Sequence, residues 1–351
     1  MRKERVAEFD MLKGIGMLMV IIGHSFYIWP IYHVFNQIHM PLFFIVSGYF
    51  FSCRGAALGG VILKNLNKLV LPYILVSLCV FLLLLMFRNH NIGYMFLKES
   101  LVGATIPNSF EIPLGPLWFF LALFWCKILY RLVFDRLGFK FTAVVVIVIP
   151  VCLILVNRVT DIYTIPYQIS QGLLAMFYYH IGVVIRKENG TTALANKKKS
   201  DKMLLIGTEI VVLAFVAIYY KIIGSNMNLS ALYFPAMPID YMNAILAFIA
   251  LYLGAEYMLR KRQLNYLNSL LLWIGKGSMV IYVIHCIEYH ATIPFMNGIT
   301  TQMLTLSKTA YHIALLANPV SQIAMCMMGL YMYERCKIHL ANENRNCNNL
   351  V

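Results

Sequence analysis

The stretch from Asp10 to Ser25, DMLKGIGMLMVIIGHS, decides the fold of this protein, because it places ionisable side chains inside an apolar run. Positions 10, 13, 17, 20 and 24 step by three or four residues, so they fall on one face of a helix. At about 1.5 Å per residue, Lys13 and His24 are ~16 Å apart along the helix axis. Ionisable side chains are costly inside a membrane and are usually kept for a function. The segment is therefore interpreted as a membrane span with a functional polar face.

The composition extends this interpretation to the whole chain. Of its 351 residues, 60% are hydrophobic and 13% are charged, and the mean hydropathy is +0.72. A soluble domain of this size carries about twice that charged fraction. The sequence predicts an all-α integral membrane protein with a single membrane domain over 1–351. The eight cysteines are scattered without a CxxC pair, which favours buried apolar cysteines over disulfides or zinc, and no metal is expected.

Apolar runs that are long enough to cross a bilayer predict about ten transmembrane helices. The runs lie near 11–29, 38–53, 66–87, 115–134, 141–157, 169–186, 203–223, 238–259, 268–290 and 311–333. A short polar cytoplasmic tail is expected at 338–351. With this count, most of the 29 Lys and Arg residues fall on the side of the N-terminus. The opposite side holds Arg88, Lys98, Arg158, Lys221 and Lys308. The positive-inside rule then places both termini in the cytoplasm.

The net charge of +14 does not require a nucleic-acid partner. Membrane topology and attraction to anionic lipid headgroups account for it. Membrane lipids are therefore expected partners, and nucleic acid is not.

The predicted orientation brings several polar residues to one depth. His24 lies in the outer half of the first span, and His39 begins the second span on the same side. His285 and Glu288 are three residues apart in the outer half of the ninth span, so they share a helical face. A polar cavity is predicted where these side chains gather.

Each of these residues has a structural interpretation beside the functional one. His24 suits a general base, because an imidazole can accept a proton and return it near neutral pH. The alternative is a structural histidine that is hydrogen-bonded between helices. His39 either touches substrate or lies at the interface. Lys64 and Lys68 either obey the positive-inside rule or form a phosphate-binding rim. Trp118 belongs either to an aromatic belt or to a platform for a sugar ring.

Four motifs in this order resemble the acyltransferase 3 family of membrane O-acyltransferases. They read Arg5-x4-Asp10-x2-Lys13-Gly-Ile…Gly23-His24-Ser25, His39-Met-Pro-Leu-Phe-Phe…Ser47-Gly48, Gly115-Pro-Leu-Trp118-Phe, and Gly275-x2-Ser278-x2-Ile-Tyr282-x2-His285. The Asp-x2-Lys-Gly-Ile form is most similar to the branch named for fucose 4-O-acetylases. Many family members have arginine where Lys13 stands, and an Arg-rich motif where Lys64 and Lys68 stand.

The resemblance implies ten core helices and the transfer of an acetyl group from cytoplasmic acetyl-CoA to a carbohydrate hydroxyl. It makes His24 the leading catalytic residue, as a general base or a transient acyl carrier, in a bacterial inner-membrane protein. Saccharide acceptors and the polysaccharide-synthesis machinery are the implied partners. The expected catalytic residues are His24, Ser25, His285 and Glu288. The expected acetyl-CoA site comprises Arg5, Asp10, Lys13, Lys64 and Lys68, and the acceptor site His39, Trp118 and Tyr282.

Two alternatives remain open from the sequence. A polytopic saccharide exporter without transferase activity also has many spans with intramembrane polar groups, although transporters tend to show internal repeats and none is evident here. A membrane sensing module has only the basic loop over residues 197–202 in its favour.

Overall fold

The computed structural model describes residues 6–25, 29–52, 57–88, 90–103, 114–160, 165–189 and 227–348, and separate positions between 206 and 217. These residues are overwhelmingly helical. Within them β structure is limited to one antiparallel bridge between Asn228 and Tyr233. The predicted all-α class is therefore confirmed for the described part of the chain.

The α-helices are α1 (Ala7–Ser25), α2 (Trp29–Tyr49), α3 (Leu58–Asn65), α4 (Leu71–Phe87), α5 (His90–Val102), α6 (Trp118–Thr160), α7 (Ile169–Asn189), α8 (Ile239–Arg260), α9 (Asn265–Lys276), α10 (Ser278–Leu306) and α11 (Lys308–Asn348). A π-helical turn, Leu66–Val70, joins α3 to α4. Short 3₁₀ turns precede α6, α7 and α9.

Five helical segments among the described residues are long and apolar enough to cross a membrane. They are Leu58–Phe87, Gly115–Thr160, Pro166–Lys187, Ile239–Arg260 and Lys308–Asn342. A sixth is obtained if the bent pair of α9 and α10 counts as one span. The chain is a multi-pass membrane protein, and the finer count of ten spans stays a prediction. The expected span at 203–223 lies largely outside the described residues.

Three element boundaries differ from the sequence prediction. The expected spans at 115–134 and 141–157 are joined in α6, which is interrupted at Gly138, where φ is 70°. The stretch between the third and fourth predicted spans contains α5, a helix that the sequence analysis did not predict. The segment expected as a polar tail continues α11 as far as Asn348. A helix can contain charged and amide side chains, so the polarity of this segment did not mark the end of α11.

The predicted ninth span is not one straight helix. It breaks at Gly277, and the axes of α9 and α10 differ by 74°. A Cβ on Gly275 would collide with the Asp10 carbonyl oxygen, and a Cβ on Gly14 would collide with that of Leu271. The two glycines therefore let α9 cross α1 at backbone contact distance. This crossing fixes the polar end of α1.

Helix α1 lies at the centre of the bundle, where it packs against α2, α8, α9, α10 and α11. Helices α2 and α7 also approach closely, because a Cβ on Gly48 would meet the Tyr179 carbonyl oxygen and one on Gly182 would meet that of Ile45. Small residues serve membrane helix contacts in this way, since lipid provides no hydrophobic force between helices. The polar face of α1 is thus enclosed by protein along its length.

Candidate functional site

The polar end of α1 contains an ion pair. Lys13 Nζ lies 2.6 Å from Asp10 Oδ1, three residues earlier on the same helix. The Asp10 side chain is nearly buried, and that of Lys13 is 24% exposed. Asp10 therefore directs the ammonium group of Lys13 without covering it. Arg5, the other predicted partner, lies outside the described residues.

Lys13 faces a cavity of about 610 Å³, here called the cationic cavity. Its cations are Lys13, Lys64, Lys68, Lys127 and Arg131, and its aromatic lining includes Phe43, Phe119 and Tyr282. The cations come from four elements, which are α1, α3, the π-helical turn and α6. A mouth with clustered positive charge and an apolar interior suits an anionic ligand with a long uncharged arm. Lys13, Lys64 and Lys68, predicted as one phosphate-binding group, line this same cavity.

Lys127 and Arg131 are cavity residues that the sequence analysis counted only as topology signals. Arg131 is buried, donates from Nε to Asp135 Oδ2 at 2.6 Å, and approaches the Ser52 carbonyl oxygen at 3.4 Å. The signal that was available is their spacing of four residues on one apolar helix, which places both on the same face.

Tyr282 forms the inner wall of the cationic cavity. It is buried, its hydroxyl donates to the Pro116 carbonyl oxygen, and its ring packs edge-on against Phe119 and Phe120. Trp118 is also buried, beside Phe119, and it is absent from the lining of the cationic cavity. Trp118 therefore does not share the cationic cavity with Tyr282, and its place in the acceptor site stays a prediction.

Two histidines meet further along α1 and α10. The ring centroids of His24 and His285 lie 5.4 Å apart, and the Tyr289 ring stands edge-on to His24 at 5.1 Å. His24 is half-buried, whereas His285 is fully buried. His39 is buried on α2, within electrostatic range of both rings. The structure thus brings together the three histidines that the sequence placed at one depth.

Glu288 completes the polar group at this level. Its Oε2 lies 3.9 Å from His285 Nδ1 and accepts a hydrogen bond from Cys326 Sγ at 3.1 Å. Both nitrogens of His285 and Oε1 of Glu288 are buried without a hydrogen-bond partner among the described residues. Buried polar atoms are normally paired, so these unpaired atoms mark a place for a ligand or an exchangeable proton.

Ser25, predicted among the catalytic residues, is the last residue of α1. Its hydroxyl donates to the Ile21 carbonyl oxygen within α1, and its own carbonyl oxygen accepts a hydrogen bond from Asn318 Nδ2 at 3.0 Å. Gln322 Nε2 lies 3.4 Å from Asn318 Oδ1. Ser25 therefore ties the end of α1 to α11, and its catalytic role stays a prediction.

Helix α11 supplies a polar face that the sequence analysis missed. Asn318, Gln322 and Cys326 are all buried, and they recur every four residues. That spacing places them on one helical face, and it was a readable signal in an otherwise apolar span.

The atoms of His285, Glu288 and Cys326 that could bind a metal lie within 4.8 Å of one another. Among the described residues this is the group that could hold a metal ion. The Cys326–Glu288 contact is already satisfied as a hydrogen bond. The sequence-based expectation of a metal-free site stays a prediction.

Comparison with known families matches residues 6–331 to the acyltransferase 3 family, described as an acyltransferase domain. The match covers nearly the whole chain and contains every described residue of the cationic cavity and the histidine group. The chain belongs to this family of acyltransferases. The resemblance inferred from the four motifs is confirmed.

Among curated proteins, the chain is similar to the nodulation protein NolL of Mesorhizobium japonicum. The two are 30% identical over 147 residues. The aligned part covers 38% of this chain, and this chain spans 38% of the length of that relative. No solved structure matches.

Proposed function

We propose that this protein is a membrane-bound O-acetyltransferase of the bacterial plasma membrane that transfers an acetyl group from acetyl-CoA to a saccharide hydroxyl. The N-terminus and the cationic cavity face the cytoplasm, where acetyl-CoA is made. The acceptor is a surface polysaccharide or a lipid-linked sugar, and the polysaccharide-synthesis machinery supplies it. Family membership favours this activity over the exporter alternative.

The observation that carries the proposal is that the lining of the cationic cavity comes within one helical turn of the histidine pair. Lys13 and Tyr282 both line the cavity. Tyr282 lies one helical turn before His285, whose ring neighbours His24. The clustered positive charge therefore lies in a cavity whose wall, at Tyr282, is three residues from the imidazole of His285.

Coenzyme A fits the chemistry of this space. Its phosphates carry the charge that five clustered cations attract, and its pantetheine arm is long and uncharged. Lys13 and His24 are ~16 Å apart along α1, so a donor held by its phosphates at one end must reach inward with an extended arm. A lysine ammonium acts as a point charge and does not form the bidentate hydrogen bonds that an arginine makes to a phosphate. Several lysines are therefore needed to bind the phosphates.

His24 acts as the general base in the proposed reaction. Its imidazole accepts the proton of the sugar hydroxyl as the oxygen attacks the thioester carbon. The new C–O bond forms, the C–S bond breaks, and the proton passes from His24 to the departing thiolate. Coenzyme A leaves as its thiol and the sugar leaves as an acetyl ester, so atoms and charge balance.

His285 and Glu288 position this base. The His285 ring fixes the orientation of His24 by direct contact, and Glu288 lies near His285 Nδ1. Residues behind a catalytic group hold it in the productive geometry. His39 is buried on α2 beside Met40, which lines the cationic cavity, and in this proposal it contributes to the acceptor site.

The proposal is tested with the purified protein in proteoliposomes, given acetyl-CoA labelled in the acetyl group and saccharide lipids from cells that lack the protein. The expected product is a saccharide that carries the label as a base-labile ester. Saccharide that crosses the bilayer without acquiring label contradicts the proposal and supports an exporter. Absence of both labelled ester and sugar transport also contradicts it.

A further inference from the structure

A second cavity lies between the C-terminal end of α4 and the middle of α10. It measures about 540 Å³ and is here called the outer groove. Its walls include Leu83, Leu84 and Phe87 of α4 and His290 and Phe295 of α10. Arg88, at the end of α4, is also part of its lining. The outer groove is thus an apolar channel with a guanidinium group at one end.

The position of the outer groove relates it to the acyl-transfer site. Along α10, Tyr282 lines the cationic cavity, His285 contacts His24, and His290 lines the outer groove. Eight residues of helix separate Tyr282 from His290, which is ~12 Å. The two cavities therefore approach the histidine pair from opposite sides.

A chain of rings connects the outer groove to the catalytic level. His290 lies 5.1 Å from Tyr289, and Tyr289 lies 5.1 Å from His24. Gly115, at φ +59°, lets both rings pack against its backbone, since a Cβ there would meet Tyr289 Cε1 at 2.5 Å and His290 Cε1 at 3.2 Å. The rings of His290 and Tyr289 therefore stand between the outer groove and His24.

The side chains that line the outer groove indicate which class of ligand it binds. Free polysaccharide requires many hydrogen-bonding groups, whereas the groove walls are hydrocarbon, which suits a lipid chain. Arg88 is exposed on the side of the bundle with few basic residues. A guanidinium is the residue best matched to a phosphate oxygen pair.

We propose that the outer groove binds the hydrocarbon chain of a lipid-phosphate carrier that bears the sugar acceptor, with Arg88 on the carrier phosphate. This assignment rests on the proposed acetyl transfer and narrows its acceptor to a lipid-linked sugar. The sugar extends from the phosphate past His290 and Tyr289, where one hydroxyl reaches His24.

The test measures binding of a polyprenyl monophosphate to the purified protein in phosphatidylcholine nanodiscs, by native mass spectrometry. The wild type is expected to retain the polyprenyl monophosphate against a large excess of phosphatidylcholine. Arg88→Gln is expected to weaken this retention about tenfold, since it removes a charge-assisted contact. Leu83→Trp, which fills the groove, is expected to abolish it.

Two matched controls make the result specific. Lys98→Gln removes a different exposed cation of the same side, and Leu82→Trp adds an indole at a lipid-exposed position outside the groove lining. Both are expected to retain the lipid as the wild type does. Because Arg88 is exposed, its variant is expected to keep the thermal transition of the wild type.

Several results overturn the assignment. If the protein retains a polyprenol without phosphate as well as it retains the polyprenyl monophosphate, Arg88 does not bind the carrier phosphate. If it retains phosphatidic acid equally well, the groove is a general site for anionic lipids. Normal acetyl transfer without preferential polyprenyl phosphate binding contradicts the groove assignment alone. Preferential binding by a protein that transfers no acetyl group contradicts the proposed function and leaves a lipid-phosphate site.

Discussion

His24 and His285 lie on different helices with their ring centroids 5.4 Å apart, so α1 and α10 share one chemical site. This contact depends on the glycine-lined crossing of α1 and α9, because α10 follows α9 directly after the break at Gly277. The geometry of the site is thus set by backbone packing at its cationic end.

The first prediction concerns that crossing. Gly275→Ala places a methyl group against the Asp10 carbonyl oxygen, so the helices must separate. We expect the protein to lose about 1–3 kcal/mol of stability, the range for overpacked sites. Thermal unfolding in detergent is the measurement. Gly59→Ala is the control, since a Cβ there meets nothing within 4 Å. An equally stable Gly275→Ala protein would mean that α1 and α9 are not in backbone contact.

The second prediction concerns the cations of the cationic cavity. The double variant Lys64→Ala with Lys68→Ala is expected to raise KM for acetyl-CoA about tenfold and to change kcat less, because it removes charge from the donor phosphates. Steady-state kinetics in proteoliposomes measures both constants. Lys276→Ala removes an exposed lysine outside the cavity lining and is expected to leave KM unchanged. A fall in kcat with unchanged KM speaks against donor binding at these lysines.

The third prediction concerns the ion pair of α1. Asp10→Asn frees the Lys13 ammonium from its 2.6 Å partner, so the lysine loses its fixed direction toward the cavity. We expect a several-fold rise in KM for acetyl-CoA, and a stronger dependence of KM on salt, because an unpaired exposed charge is screened more effectively. Kinetics at low and high salt distinguish weaker binding of acetyl-CoA from misfolding of the variant. Unchanged KM at every salt concentration excludes the pair from donor binding.

The fourth prediction separates Glu288 from its thiol partner. Glu288→Gln keeps the shape but removes the carboxylate beside His285, so kcat is expected to fall at least about tenfold with little change in KM and with an altered pH profile. Cys326→Ser retains a donor to Glu288 and is expected to keep most of the activity. Comparable losses in both variants, without a change of pH profile, indicate a packing role for Glu288.

The polar stripe of α1 could be predicted from the sequence because helical spacing alone fixes which residues share a face. The prediction that one helical face carries Asp10, Lys13 and His24 needed no tertiary information. The meeting of His24 with His285 followed from matching depths in two spans. These relationships were accessible because a membrane limits both the orientation and the length of each helix.

The remaining parts of the site depend on packing that the sequence does not encode locally. The role of Lys127 in the cationic cavity was hidden because a basic residue at a span end also satisfies the positive-inside rule. The 74° bend lies at Gly277, where a Cβ would meet the Leu330 side chain of α11, and no proline stands at the break to mark it in the sequence. The sequence placed Ser25 among the expected catalytic residues, and it could not show that the Ser25 hydroxyl donates to the preceding turn of α1.

The most direct test of the account measures the transfer of labelled acetyl from acetyl-CoA to saccharide by His24→Ala, at equal amounts of membrane-inserted protein. Loss of a general base is expected to lower the transfer rate by about 10²- to 10⁴-fold while acetyl-CoA binding persists. His312→Ala, at an exposed histidine near the start of α11, is the matched control and is expected to behave as the wild type. Acetyl transfer at the wild-type rate by His24→Ala would contradict the central claim.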